Sequence, residues 1–183
     1  MVEAENTSPL GFLTVVELAE IGFCGGLLLL NERGRPLEFH CNSPIQPSRT
    51  QRVLYGSTLR SFLLLDAIAL SLVEKCSKPP AAILTNLQEL WELSRHIEIP
   101  IGLIPDVQSS VEMALPSDQR ELWSHFEIAG QAIAISSNER NRRTELEALL
   151  LGFAQRLPLA EPFQRIQNAI DEAHSSARLR ESA

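Results

Sequence analysis

The chain has 183 residues, 44% of them hydrophobic and 21% charged, and 16 Lys+Arg against 23 Asp+Glu give a formal net charge of −7. This composition excludes disordered and collagen-like chains, and the length allows a hydrophobic core without disulfides or metals as staples. The acidic balance argues against a protein that coats duplex nucleic acid, because such affinity rests on neutralising phosphates with Lys and Arg.

Met1 to Pro9 is a polar arm with neither a basic nor an apolar targeting region. The apolar runs Phe62–Val73 and Ile21–Leu30 are both interrupted and shorter than the ~18–20 residues of a membrane span. Three widely spaced cysteines, Cys24, Cys41 and Cys76, fit reduced thiols and a cytoplasmic location.

Leu10–Ile21 and Leu27–Leu30 predict two strands, joined by a junction weakened by Gly22, Gly25 and Gly26. Leu37–Cys41 alternates apolar and polar residues after the polar stretch Asn31–Pro36, a hairpin signal. Prolines break the chain between Asn42 and Thr50, and a long helix is expected from Gln51 to Ser77, with Ser48 or Thr50 as its cap. Its apolar positions cover more than half the circumference, so it is buried on more than one side.

Ala81–Thr85 reads as a short buried strand, Asn86–His96 as a helix and Ile97–Ile104 as a strand, with Pro100 near a sheet edge or near the strand's start. Ser117–Phe126 reads as a capped helix and Ile128–Ser136 as a last strand or buried connection. Thr144 and Glu147 have capping-box spacing ahead of the stripe Leu146, Leu149, Leu150, Phe153, Ala154 and Leu157. Phe163, Ile166, Ile170, Ala173 and Ala177 form a second stripe, implying two antiparallel helices.

The fold class is therefore α/β, with α+β as the other possibility. The expected architecture is a three-layer mixed sheet opened by an antiparallel hairpin, with a long buried helix and a C-terminal helical hairpin. The expected organisation is an arm over 1–9, an α/β core over 10–136 and the helical hairpin over 137–183. Over residues 10–104 this element order resembles the RNase H-like architecture. The resemblance implies acidic residues on the first strand, on the long helix or at a following strand end, and on a late helix, together binding two divalent metals. The matching positions are Glu17, Asp66 and Asp171 or Glu172, while the end of the fourth strand carries Asn86 in place of an acid.

Other chemistry is thinner. His40 and Cys41 are adjacent on a strand and point to opposite faces, and CxxC and HxxxH spacings are absent, so no metal site is expected. A Cys–His pair would need Cys24 or Cys41 to meet His96 or His125 in space. Ser48, Arg49, Thr50 and Arg52 combine hydroxyls, guanidinium groups and a helix N-terminus, a pattern suited to a phosphate or carboxylate. Arg140, Arg142 and Arg143 sit among glutamates, as on a solvated surface.

The leading expectation is a non-catalytic cytoplasmic binding or assembly protein without a cofactor. It would meet a protein partner, or a second copy as a homodimer, through its C-terminal helices, with no membrane and with nucleic acid disfavoured. One alternative is a metal-dependent phosphodiesterase or nuclease of RNase H-like shape, active or degenerate, with Mg²⁺ on Glu17, Asp66 and Asp171. A small-anion sensor using Ser48, Arg49, Thr50 and Arg52 is the other.

Overall fold

The computed structural model describes residues 8–105, 123–136 and 143–181, with side chains to 174 in the last stretch. The helix expectation at 117–122, the polar arm over 1–7 and the arginines at 140 and 142 lie outside the described residues.

The described strands are β1 Leu10–Leu18, β2 Gly22–Leu30, β3 Pro36–Cys41, β4 Ala82–Thr85, β5 Ile101–Leu103, β6 Trp123–Ile128 and β7 Gln131–Ser136. They form one sheet in the order β3-β2-β1-β4-β5-β7-β6. β1, β4 and β5 run parallel, and the β1–β2, β2–β3, β5–β7 and β6–β7 pairs are antiparallel. A mixed α/β sheet opened by an antiparallel hairpin is thus what the chain forms.

Helix α1 runs continuously over Arg49–Val73 and crosses from β3 to β4. Ser48 caps it as expected: its hydroxyl accepts from the Gln51 amide at 3.1 Å, and its own amide donates to Gln51 Oε1 at 2.9 Å. Its Phe62–Ala69 stretch has π geometry. By length and composition alone this helix could cross a bilayer, but Leu64, Leu65, Ile68, Ala69 and Leu72 are buried against the sheet. A short 3₁₀ helix, Gln88–Arg95, lies on the same face through Leu90 and Leu93.

On the other face lie α2, Arg143–Ala154, and α3, Glu161–Glu181. Leu146, Leu150, Phe153, Phe163, Ile166 and Ile170 pack there on Leu10, Phe12 and Leu28. Two arginines tie these helices to the β2–β3 turn: Arg156 donates to the Glu32 carbonyl and Arg165 to the Gly34 carbonyl, each at 2.8 Å. Most residues of the stripes that suggested a partner surface thus pack on this core, while Ala173 is exposed.

β1 alternates between the two helix layers, with Leu10 and Phe12 toward α3 and Leu13 and Val15 toward α1. β2 does the same and runs straight through its glycines, which correct the expectation of a weakened junction. A Cβ on Gly25 would lie 2.2 Å from Ile68 of α1, and one on Gly26 would lie 2.3 Å from Ile166 of α3. The two glycines therefore let helices approach from opposite sides at neighbouring positions.

Three further expectations are corrected. Only Ile101–Leu103 of the predicted Ile97–Ile104 strand is paired, because Pro100 has no N–H for the ladder. Asn86–His96 tightens into the 3₁₀ helix Gln88–Arg95, with Leu87 and not Asn86 at its N-terminal boundary. Trp123–Phe126 is strand and not helix, since it pairs with β7 across a two-residue turn in which Ala129 (φ 51°) and Gly130 (φ 78°) are both left-handed.

Beside β3, the Glu38 carboxylate accepts from His40 Nε2 at 2.9 Å and from the Ser77 amide at 3.0 Å. The His40 hydrogen bond, followed by that from the Ser77 amide, holds its carboxyl below the usual glutamate range. This joins β3 to the chain leaving α1.

Two outcomes follow from this packing. Gly25→Ala and Gly26→Ala should each cost about 1–3 kcal/mol by overpacking, read as a lower denaturant midpoint. Gly152→Ala in α2, where a Cβ meets nothing within 4 Å, should be neutral or stabilising by up to ~1 kcal/mol. Because the folded pKa of Glu38 is depressed, its contribution is present above the unfolded value and lost as pH falls through the folded one. Glu38→Gln should therefore lower the thermal midpoint at pH 7, and the difference from wild type should close below about pH 4.

Candidate functional site

The carboxyl ends of parallel strands are where α/β sheets leave a crevice, because the chain turns away there. In this sheet, such a cleft of about 220 Å³ is lined by Thr14, Asn86, Ile104, Pro105, Ala160, Phe163, Gln164 and Gln167. Thr14 is on the α3 side of β1, opposite Gly26. Leu13 pairs with Thr85 of β4, which sets Asn86 beside Thr14. Ile104 and Pro105 follow β5, and one turn of α3 contributes Gln164 and Gln167 on either side of buried Ile166.

The polar side chains of this cleft are a hydroxyl and three carboxamides. Thr14 is only 4% exposed, and its hydroxyl has no hydrogen-bond partner among the described residues. Gln164 Nε2 donates to Asn168 Oδ1 at 3.0 Å, so its carbonyl oxygen remains available. Each carboxamide presents two donors and an acceptor, a set that suits a nucleobase edge or an amide. It does not suit a divalent metal centre, since Mg²⁺ sites of the nuclease kind are built on carboxylates.

The three acids predicted as metal ligands do not converge. Glu17 is on the α1 side of β1, where its carboxylate is 3.6 Å from Arg60. Asp66 is exposed on α1, and Asp171 is exposed on α3 across the sheet. Among the described residues, no group of three His, Cys, Asp or Glu side chains could hold a metal ion. The strand alternation is the cause, because Glu17 has the parity of Leu13 and Val15 whereas the cleft is served by the parity of Phe12 and Thr14.

The residues of the predicted anion site lie at the entry and first turn of α1. Ser48 is spent on the capping box with Gln51, and Arg49 and Thr50 are exposed on the first turn of α1. Arg52 alone of the four lines a second cavity of about 280 Å³, with Glu17, Phe23, Ser57 and Arg60. Arg60 there donates to Glu89 at 2.9 Å and lies over the Phe23 ring at 5.9 Å.

Cys24 is buried, and its Sγ donates to the Asn42 carbonyl at 3.1 Å. Burial, and secondarily the charge of nearby Cys41, pushes this thiol up to about 11, so it is a packed group and not an activated nucleophile. Sequence reasoning missed Thr14, Gln164 and Gln167, since neutral polar residues in apolar stretches give no chemical signal. Asn86 alone was singled out, as the place where an acid was missing.

No protein-family model matches this sequence, and no curated protein matches it. Among solved structures it is similar to a crystal structure of human endonuclease V, at 13% identity over 94% of this chain and 87% of that chain, with a TM-score of 0.49. It is also similar to a cysteine-substituted catalytic domain of human endonuclease V, at 12% identity over 93% and 85% of the two chains, with a TM-score of 0.48. A likeness of this degree assigns no residue and no activity. The larger residues of the stripes meant for a partner, Leu146, Leu150, Phe153, Phe163, Ile166 and Ile170, are buried in the chain's own core. The expectation of a non-catalytic binding or assembly protein, which drew on those stripes, is corrected accordingly.

The thiols offer a direct check of the site geometry. Brief alkylation of the native protein at about pH 8, mapped by mass spectrometry, should label exposed Cys41 first and leave Cys24 unlabelled until denaturant is added. Early labelling of Cys24 would contradict its burial.

Proposed function

We propose that this chain is a nuclease-type protein of RNase H-like shape in degenerate form, whose cleft at the ends of β1, β4 and β5 receives a nucleotide unit of a nucleic acid. The observation that carries this reading is a coincidence of position. The resemblance asks for acids on the first strand, on the long helix or at a following strand end, and on a late helix. The positions matched on β1 and α3 lie elsewhere, but those two elements and the end of β4 meet in one cleft, to which they bring Thr14, the pair Gln164 and Gln167, and Asn86.

Hydroxyl and carboxamide groups can hydrogen-bond base, sugar and phosphate oxygens without a bound cation. The cleft floor is apolar, with Phe163 7% exposed and Ile104 1% exposed, so a base entering it leaves water while its polar edge meets the amides. Each good bidentate amide–base contact is worth about 1–3 kcal/mol.

The test is binding of fluorescent oligonucleotides, measured by anisotropy with Mg²⁺ and then with EDTA. Affinity should be the same in both. Asn86→Ala and Gln164→Ala should each weaken it about tenfold, the equivalent of ~1.4 kcal/mol. The double variant T14D/N86D, which supplies two carboxylates, should acquire a Mg²⁺-dependent rise in thermal midpoint absent from wild type. Failure of wild type to bind any oligonucleotide, or binding abolished by EDTA, would overturn the reading.

A further inference from the structure

We propose that the N-terminal half of α1 is a docking arm for the phosphate backbone of a single-stranded nucleic acid; this rests on the reading of the cleft given above and names the strand that fills it. The first observation is charge. Between Glu38 and Asp66 the sequence has no acidic residue and three arginines, Arg49, Arg52 and Arg60, in a chain of net charge −7. The second is packing, for none of residues 49–62 is buried, and Val53 and Leu54 are 75% and 76% exposed.

The arm is held at the right end of the sheet. Arg60 bonds Glu89 at 2.9 Å and lies 3.6 Å from Glu17. Those carboxylates are each three residues beyond a cleft residue, Asn86 and Thr14, a step of about 10 Å along the extended β1 from Thr14 to Glu17. With its charge matched by two acids, Arg60 serves as a strut. Arg49 and Arg52 make no ion pair among the described residues, and their i, i+3 spacing puts them on one helix face.

The cleft and the arm thus lie on the two faces of the sheet near the carboxyl ends of its parallel strands, the neutral part suited to a base and the cationic part to phosphates. A strand with its bases unpaired can offer both at once, whereas a duplex keeps its base edges in the grooves and the stack. Val53, one turn from Arg49, and Leu54 give the unstacked bases an apolar surface beside those phosphates.

Salt dependence separates this inference from the reading beneath it. For single strands the logarithm of affinity falls with the logarithm of salt by ~0.7 per neutralised phosphate. Anisotropy titrations of wild type with a labelled oligothymidine strand, between about 50 and 200 mM salt, define the slope. The R49A/R52A variant should reduce that slope by about 1.4, two phosphates at ~0.7 each, and R52E should weaken binding more than R52A. Both sites are exposed, so the thermal midpoint of each variant should match wild type. Binding of wild type with an unchanged slope in R49A/R52A would overturn the arm while leaving the cleft intact. Tighter binding of the corresponding duplex would overturn the single-strand assignment, and absence of any oligonucleotide binding would overturn cleft and arm together.

Discussion

Two consecutive glycines in β2 hold the layers of this protein in place. A strand sends successive side chains to opposite faces, so Gly25 and Gly26 leave matching vacancies on the two sides of the sheet, and Ile68 and Ile166 fill them. Each isoleucine is fully buried, a gain of roughly 1.5–3 kcal/mol per side chain. The consequence reaches the cleft directly. Thr14 is paired opposite Gly26, and Gln164 and Gln167 flank Ile166 on α3. Lifting α3 to make room for a side chain at Gly26 would draw the two amides away from Thr14 and Asn86, so the cleft's width follows from a side chain that is absent.

The same feature explains what the amino-acid pattern conceals. Glycine in a strand usually signals a bulge or a weak junction, and conformational freedom is the property that a pattern reading weighs. At Gly25 and Gly26 the property in use is the missing Cβ, which becomes evident only when α1 and α3 are in position. The hairpin opening, the Ser48 cap and the stripes of α2 and α3 were legible because each depends on local spacing. β6 was not, because Trp123–Phe126 extends only through its pairing with β7.

Legibility of the site failed for a related reason. A search for acids along β1 finds Glu17, but strand parity assigns that residue to the α1 side, where Arg60 meets it. One residue of register separates a cleft position from its opposite face. Asn86 was visible because the resemblance supplied a position at which to look. Gln164 and Gln167 lie between the apolar residues that define the α3 stripe, so their importance comes from the sheet they face and not from their own sequence context.

Neutrality in such a cleft has an electrostatic consequence. Carboxylates clustered at the end of a sheet repel phosphate unless cations lie between them, and that repulsion ties nuclease-type binding to metal. Amides and a hydroxyl remove the repulsion and the metal affinity together. On the proposed reading an anionic strand can then approach the cleft unaided, but nothing in the cleft attracts it. In a chain of net charge −7, long-range attraction must come from a local excess of cations. The acid-free stretch from residue 39 to 65 supplies one beside the cleft, and Arg60 spends its charge on Glu17 and Glu89 to keep that stretch near the strand ends. On the proposed reading, the neutral cleft and the acid-free entry of α1 are two parts of one charge arrangement.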